Sequence, residues 1–218
     1  VDAEALASFV NSLAKRVKVS PVNARRVVVK GRLRVYPSKT GRSLDAVGAK
    51  AALTAALQAQ MAAPGSEQAT VRVPVIVTNP TVTVAKLGKT IVISLKERRL
   101  LLYNRNKFER SYRCAIGMVG HATPAGTWKV VSRSPHPAWG NPGSAWAKGM
   151  PRYIAPGYNN PLGLRALYLN ALGVRIHGTS KTRAIGRAGS HGCVRLTNNN
   201  IVDLYPRVPV GTTVFIVK

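Results

Sequence analysis

Near its C-terminus the chain reads Ser190-His191-Gly192-Cys193-Val194-Arg195, and His177 lies sixteen residues before the cysteine. The chain has only two cysteines and four histidines, so half of these residues are concentrated here. A cysteine attacks acyl groups as its thiolate, and a neighbouring imidazole can accept the thiol proton. A glycine beside the nucleophile leaves room for backbone N–H groups to contact a substrate. The combination is typical of an acyl-transfer site.

The composition limits the chemistry open to this site. The chain has 218 residues, of which 45% are hydrophobic, enough to bury a core in one large or two small domains. Seven residues are acidic, against 33 lysines and arginines. So few carboxylates argue against the paired-carboxylate chemistry of glycosidases and against an aspartate that orients a catalytic histidine. We therefore expect a backbone carbonyl or a hydroxyl to orient His177.

The net charge of +26 predicts an anionic partner. Nucleic acid and the anionic polymers of a bacterial envelope are the two candidates. Basic residues are scattered along the chain, and aromatic residues make up only 6% of it, so base-stacking platforms are not evident. We therefore expect no nucleic acid partner and favour anionic wall polymers.

Two other interpretations of Cys193 remain open. A disulfide between Cys114 and Cys193 would block the nucleophile, although the alternating pattern around Cys114 favours a small buried strand residue. A zinc site of His177, His191 and Cys193 is chemically reasonable, but it lacks the CxxC or HExxH spacing.

The first third of the chain predicts a small mixed α/β domain, residues 1–83. Asp2 is expected to cap a first helix, and a turn and cap at Gly41–Asp45 to precede a second, alanine-rich helix. Pro64-Gly65-Ser66 is expected to end that helix. The predicted strands are residues 25–29, 33–36 and 71–77, the last of them an edge strand because it contains a proline.

From residue 84 onward, short strands separated by Gly/Pro turns favour a sandwich of mostly antiparallel sheets. The predicted strands are residues 90–95, 99–103, 127–131, 174–177 and 213–217. One short helix, capped at Asn198-Asn199-Asn200, is predicted before the last strand. The fold class is therefore α+β. The long segment 136–161 contains Trp139, Trp146 and Tyr153, and predicts either a lid over a cleft or an ordinary packed loop.

The region 84–218 resembles the catalytic domain of L,D-transpeptidases, the YkuD-type fold. Four motifs carry the resemblance: Ile176-His177-Gly178-Thr179, the run from Ser190 to Asn198, Thr123-Pro124-Ala125-Gly126-Thr127-Trp128, and Pro209-Val210-Gly211-Thr212-Thr213-Val214. The N-terminal third resembles, through fewer landmarks, the module regarded as peptidoglycan-binding that precedes this domain in some Gram-positive members.

The resemblance implies a role for each residue of the motifs. Cys193 is the expected nucleophile, and His177 is its general base, oriented by a backbone carbonyl near Gly178. His191 is expected to shape the site, and the N–H groups of Gly192 and Cys193 to form an oxyanion hole.

Four further residues are expected to contact substrate. Ser190 holds the loop, and Arg195 either pairs with a substrate carboxylate or fixes the loop. Tyr153 and Tyr168 are expected to face the cleft.

The implied reaction joins peptidoglycan stem peptides through 3→3 cross-links. Cys193 forms a thioester with the third residue of a tetrapeptide stem and releases D-Ala, with no metal or cofactor, and carbapenems acylate the same cysteine. Water in place of the acceptor amine would make the protein an L,D-carboxypeptidase, and an unreactive Cys193 would leave a wall-binding protein. We expect an envelope location outside the cytoplasm, with a signal or anchor removed ahead of Val1.

Overall fold

The computed structural model describes residues 2–65, 67 and 70–218. Val1, in the predicted first domain, and Ser66, in the predicted helix break, lie outside the described residues. The helices are α1 (Ala3–Val17), α2 (Ala46–Ala62) and α3 (Asn198–Leu204). No helix in the described ranges has both the length and the hydropathy needed to cross a membrane.

The strands are, in chain order, β1 (Arg25–Val29), β2 (Arg32–Tyr36), β3 (Gly41–Leu44), β4 (Val75–Thr78), β5 (Lys89–Ser94), β6 (Arg99–Asn104), β7 (Lys107–Arg113), β8 (Ile116–Gly117), β9 (Gly126–Ser134), β10 (Trp139–Gly140), β11 (Tyr153–Ile154), β12 (Ala166–Leu169), β13 (Arg175–Thr179), β14 (Ala188–Ser190), β15 (Val194–Thr197) and β16 (Thr213–Val217). This is the predicted α+β class, mostly strand in the C-terminal part and mixed in the N-terminal part.

The described chain divides into two compact units. The N-terminal unit runs to Arg25 and resumes over Tyr36–Val84, and the C-terminal unit consists of Arg26–Val35 and Ala85–Lys218. The hairpin of β1 and β2, except for its end residues Arg25 and Tyr36, therefore lies in the C-terminal unit, whereas the predicted boundary at 83/84 placed it in the first domain.

In the N-terminal unit, both predicted helix caps are present. The Asp2 carboxylate accepts hydrogen bonds from the N–H groups of Glu4 (2.9 Å) and Ala5 (3.1 Å), and Asp45 accepts one from Gly48 (3.0 Å). These bonds satisfy N–H groups that have no partner inside a helix. The small core comprises Leu6, Val10, Leu44 and Ala49.

Two strand predictions in this unit were wrong in detail. Residues 41–44 form strand β3 rather than a turn, because they pair antiparallel with β4. Strand β4 begins at Val75 rather than at residue 71, because Pro74 has no N–H for a ladder and its carbonyl accepts from the N–H of Asp45 (3.1 Å).

The C-terminal unit is built on an eight-stranded mixed sheet with the order β15-β13-β12-β9-β16-β5-β6-β7. Strands β13 and β15 pair in parallel, as do β5 and β16, and the other neighbours are antiparallel. The predicted hairpin of β5 and β6 is confirmed. The sheet buries one large core whose fully buried members include Ile91, Ile93, Leu100, Leu102, Leu167, Ile176, Leu196, Ile201, Leu204 and Ile216.

Strands β5 and β6 are nearly continuous apolar runs because both of their faces are covered. Side chains at alternate positions enter the large core, and those between them, Val92, Leu101 and Tyr103, form a second cluster against which Val28 and Leu33 of the hairpin pack. Arg26 fixes the hairpin in place by donating to Thr90 Oγ1 (2.5 Å) and to the carbonyl of Lys89 (3.2 Å). The hairpin thus completes the sandwich of this unit.

Candidate active site

Neighbouring strands β13 and β15 bring the motif residues together. They lie in parallel, with Ile176 opposite Val194 and His177 opposite Arg195. Ile176 and Val194 point into the large core. Because strand side chains alternate between faces, His177 and Arg195 project from the opposite face.

The same alternation places two further residues on this face. Arg175 precedes His177 by two positions, and Cys193 precedes Arg195 by two positions. The four side chains therefore form a two-by-two array, with Arg175 and His177 on β13, Arg195 on β15, and Cys193 immediately before β15. Within the array, the two guanidinium groups occupy one diagonal, and the thiol and the imidazole occupy the other.

The array forms the floor of a pocket of about 340 Å³. Tyr168 of β12 and His191 also line it, and the segment 136–161 contributes a wall that includes Trp139 and Trp146. None of the seven acidic residues, all of which are described, lines the pocket. The pocket is therefore cationic.

His177 is held in a single tautomer. It is 2% exposed, and its Nδ1 lies 2.7 Å from the carbonyl oxygen of Gly178. A carbonyl only accepts hydrogen bonds, so Nδ1 carries the proton and Nε2 keeps its lone pair. The predicted orienting carbonyl is thus present. Burial lowers the pKa of His177 to about 4, and the charges of Arg195 and Arg175 act in the same direction.

Gly178 permits the close packing that fixes this histidine. A Cβ at this position would collide with Oδ1 of Asn198 and with the Ile201 side chain. Asn198 is buried and bridges two segments, accepting from the N–H of Leu164 (3.0 Å) and donating to the carbonyl of Tyr158 (3.0 Å). The cap of α3 is Thr197, not the predicted Asn198, because the Asn198 side chain is committed to this bridge.

The loop that carries Cys193 is anchored from two sides. Ser190 Oγ donates to the carbonyl of Cys193 (2.5 Å), and Thr123 Oγ1 donates to the carbonyl of Gly192 (3.0 Å). Thr123 also accepts from the N–H of Gly117 (2.8 Å), which ties the Thr-Pro motif to this loop. Gly192 has φ of +103°, a conformation that only glycine adopts easily.

Both cysteines are free thiols, so the structure does not contain the disulfide that the sequence left open. Cys114 is fully buried, as predicted, and burial raises its pKa to about 12. The Cys193 thiol donates to the carbonyl of Gly173 (3.4 Å). Among the described residues, no group of three or more potential metal ligands is assembled.

Aromatic rings form one side of the pocket. The Trp146 ring stacks on His191 with 4.2 Å between centroids and an interplanar angle of 8°, and His121 meets His191 edge-on at 4.9 Å. Trp139 packs with Ala147 and Leu162 in a small core of its own. The segment 136–161 is therefore a packed wall of the pocket, with internal structure.

Most predicted site residues meet at this pocket, but two do not. Cys193, His177, His191, Arg195 and Tyr168 line it, while Gly178 and Gly192 support it from behind. Ser190 is fully buried beneath the loop, and Tyr153 is 61% exposed on β11, away from the lining residues.

Sequence reasoning missed Arg175. Its signal was available, because a residue two positions before His177 on a strand must share the face of His177.

Comparison with known proteins gives the following relatives. A family model described as "L,D-transpeptidase catalytic domain" matches residues 88–216, and one described as "Putative peptidoglycan binding domain" matches residues 1–63. The chain is 31% identical over 186 residues to "Putative L,D-transpeptidase YkuD" of Bacillus licheniformis, covering 84% of this chain and 98% of the relative.

Other relatives share only part of their length. The chain is 37% identical over 138 residues to "Probable L,D-transpeptidase ErfK/SrfK" of Escherichia coli, covering 59% of this chain and 44% of that protein. Among solved structures, an Enterococcus faecium L,D-transpeptidase mutant matches with a TM-score of 0.52 at 21% identity, covering all of this chain and 83% of the other. At that identity the match supports the fold alone.

Proposed function

The chain belongs to the L,D-transpeptidase family, and on that premise we propose that it is a cysteine acyltransferase that forms 3→3 cross-links between peptidoglycan stems. The observation that carries the proposal is the array on β13 and β15. Cys114 is buried, so Cys193 is the one thiol that is partly exposed. The array places it beside His177, whose Nε2 keeps the lone pair that can accept a proton.

In the first half-reaction, His177 Nε2 accepts the proton of Cys193. The sulfur forms a bond to the carbonyl carbon of the third stem residue, giving a tetrahedral oxyanion. The N–H groups of Gly192 and Cys193 are suited to bind this oxyanion, since neither donates a hydrogen bond within the part of the chain that the structure describes. The C–N bond to D-Ala then breaks, the imidazolium returns its proton to the leaving amine, and a thioester remains.

In the second half-reaction, the amine of a neighbouring stem attacks the thioester. Its proton passes to His177 Nε2, the C–S bond breaks, and the thiolate recovers the proton. The low pKa of His177 keeps the imidazole neutral at pH 7, so it is ready to accept a proton at each stage. These steps balance with the side chains of the chain alone.

A hydrolase using the same thioester is the second candidate, because water can replace the acceptor amine. The cationic pocket favours retention of anionic stems, but it does not distinguish the two acceptors. The ratio of cross-linked dimer to shortened stem, measured with and without an added amine acceptor, separates them.

The remaining assignments follow from the same proposal. The N-terminal unit is proposed to bind peptidoglycan, and the net charge of +26 to favour anionic wall polymers outside the cytoplasm. Carbapenems are expected to acylate Cys193, since their strained carbonyl meets the same thiol.

The test is turnover of a tetrapeptide stem ending in D-Ala by the intact chain and by Cys193→Ala. The proposal predicts D-Ala release by the wild type and a loss of at least about 10⁴-fold in the variant. Release that persists in Cys193→Ala would overturn the mechanism.

A further inference from the structure

The pocket contains positive charge that the acyl-transfer steps leave unused. Among the described residues, four buried side-chain nitrogen or oxygen atoms lack a hydrogen-bond partner. Three of the four belong to residues that line the pocket: Arg175 Nε, Arg195 Nε and His191 Nδ1. A buried polar N–H without a partner is costly, so its position indicates where a ligand group is expected.

Arg175 is fixed at the pocket by two contacts, while its Nε is buried without a partner. Its guanidinium lies over the Tyr168 ring at 5.4 Å, and its Nη1 donates to the carbonyl of Gly173 (3.2 Å). The Cys193 thiol donates to the same carbonyl oxygen (3.4 Å). The guanidinium and the nucleophilic sulfur are therefore neighbours, joined through one acceptor.

Arg195 occupies the other end of the diagonal. Its Nη1 donates to the carbonyl of Gly189 (3.2 Å), which leaves Nε without a partner, as in Arg175. The charges of both arginines lower the pKa of His177, which is consistent with both groups lying close to the imidazole. No carboxylate of the protein neutralises either group within the pocket, because the lining contains no acidic residue.

The bond that the proposed reaction breaks has a carboxylate beside it. The leaving residue is an α-amino acid, so its carboxylate is attached to the same carbon as the nitrogen that departs. A guanidinium next to the attacking sulfur is within reach of that carboxylate, and a guanidinium is the side chain best matched to it.

We propose that Arg175, assisted by Arg195, binds the carboxylate of the leaving C-terminal residue and makes the enzyme selective for stems that end in a free carboxylate one residue beyond the scissile carbonyl. This inference rests on the proposed acyl transfer. It assigns Arg175 as a substrate-specificity residue, and it explains why two arginines flank the catalytic pair in a pocket whose lining contains no other lysine or arginine and no acidic residue.

The experiment compares two donors that differ only at the C-terminus: a tetrapeptide stem ending in D-Ala, and the same peptide as its C-terminal primary amide. The intact wild-type chain, Arg175→Gln and Arg183→Gln are assayed with both. Arg183 is the matched control, because it is an exposed arginine of the same unit that does not line the pocket.

The inference predicts that the wild type prefers the carboxylate donor by at least about tenfold in kcat/KM. Arg175→Gln is expected to lose about 10- to 100-fold on the carboxylate donor, the range for a buried charged hydrogen bond, and to change little on the amide. Arg183→Gln is expected to match the wild type on both donors.

Three results would contradict the inference. Equal losses on both donors would mean that Arg175 acts on the thiol or on folding, and unchanged kinetics would mean that it contacts no substrate. Equal use of the two donors by the wild type would overturn the inference even if the variant failed to fold. A wild type that turns over neither donor would overturn the proposed function itself, which is a distinguishable outcome.

Discussion

The two units of this chain contain cavities of opposite character. The pocket of the C-terminal unit is about 340 Å³ and is lined by a thiol, two imidazoles and two guanidinium groups. The groove of the N-terminal unit is larger, about 720 Å³, and its lining is apolar except for Asp2 and Gln60. Size therefore does not identify the reactive site. The reactive groups collect where adjacent parallel strands carry them on one face.

The units also differ in how they are held together. The sheet of the C-terminal unit buries apolar side chains on both faces. One face packs into the large core, and the other packs beneath the hairpin of β1 and β2. The N-terminal unit has a core of four buried residues supported by a few half-buried neighbours. The tightly packed unit is the one that must hold His177, Cys193 and their supports in register.

Among the residues around the Cys193 thiol, substitution of His177 is expected to reduce activity the most. His177→Gln removes the group that accepts the Cys193 proton, so kcat/KM for D-Ala release should fall about 10²- to 10⁴-fold. In the wild type, kcat/KM should rise as the pH passes about 4, where the imidazole becomes neutral. The variant should lack this rise. A variant that retained the same pH dependence would assign the titration to another group.

The buried imidazole also predicts an acid-dependent stability. Its pKa is about 4 in the folded unit and 6.5 in the unfolded chain, so the unfolded chain binds the proton more tightly between these values. The unfolding free energy should be undiminished above pH 6.5, fall as the pH drops from 6.5 to 4, and lose about 3 kcal/mol from this group.

Urea unfolding at pH 7 and pH 4 measures this loss, with His177→Gln as the reference. The wild type should lose about 3 kcal/mol more than the variant over that interval. Equal losses in the two proteins would show that His177 is accessible to protons in the folded state.

A smaller effect on stability is expected from a substitution in the hairpin of β1 and β2, and it tests to which unit the hairpin belongs. All three tryptophans, Trp128, Trp139 and Trp146, belong to the C-terminal unit, so their fluorescence reports the unfolding of that unit. Leu33→Ala removes packing against Val92 and Leu101 and should lower the unfolding free energy of this unit by about 2 kcal/mol, the low end of the range for buried leucines, because Leu33 is only partly buried.

The control for the hairpin is Leu53→Ala, which removes packing from the core of the N-terminal unit. It should leave the tryptophan transition unchanged. If Leu53→Ala shifted this transition and Leu33→Ala did not, the hairpin would belong functionally to the first unit.

The sequence predicted the elements whose patterns are local. The apolar runs of β5 and β6, the caps at Asp2 and Asp45, and the carbonyl that orients His177 were all anticipated and are present. The motif residues met at one pocket because strand alternation obliges them to share a face.

Features that depend on distant pairing were not predictable in the same way. Residues 41–44 form a strand only because β4 pairs with them, and the hairpin of β1 and β2 covers a cluster formed from β5, β6 and β16, far along the chain. The Asn198 side chain does not cap α3, because it hydrogen-bonds to Leu164 and Tyr158 instead. Arg175 was overlooked because it belongs to none of the motifs. Its position two residues before His177 on the same strand nevertheless places both side chains on one face.

The most direct test of the account is intact-protein mass spectrometry after incubation with a carbapenem, on the reduced wild type and on Cys193→Ala. The account predicts one covalent adduct on the wild type and none on the variant, because the buried Cys114 thiol is inaccessible and its pKa is raised to about 12. An adduct on Cys193→Ala, or none on the reduced wild type, would contradict the assignment of Cys193 as the activated nucleophile.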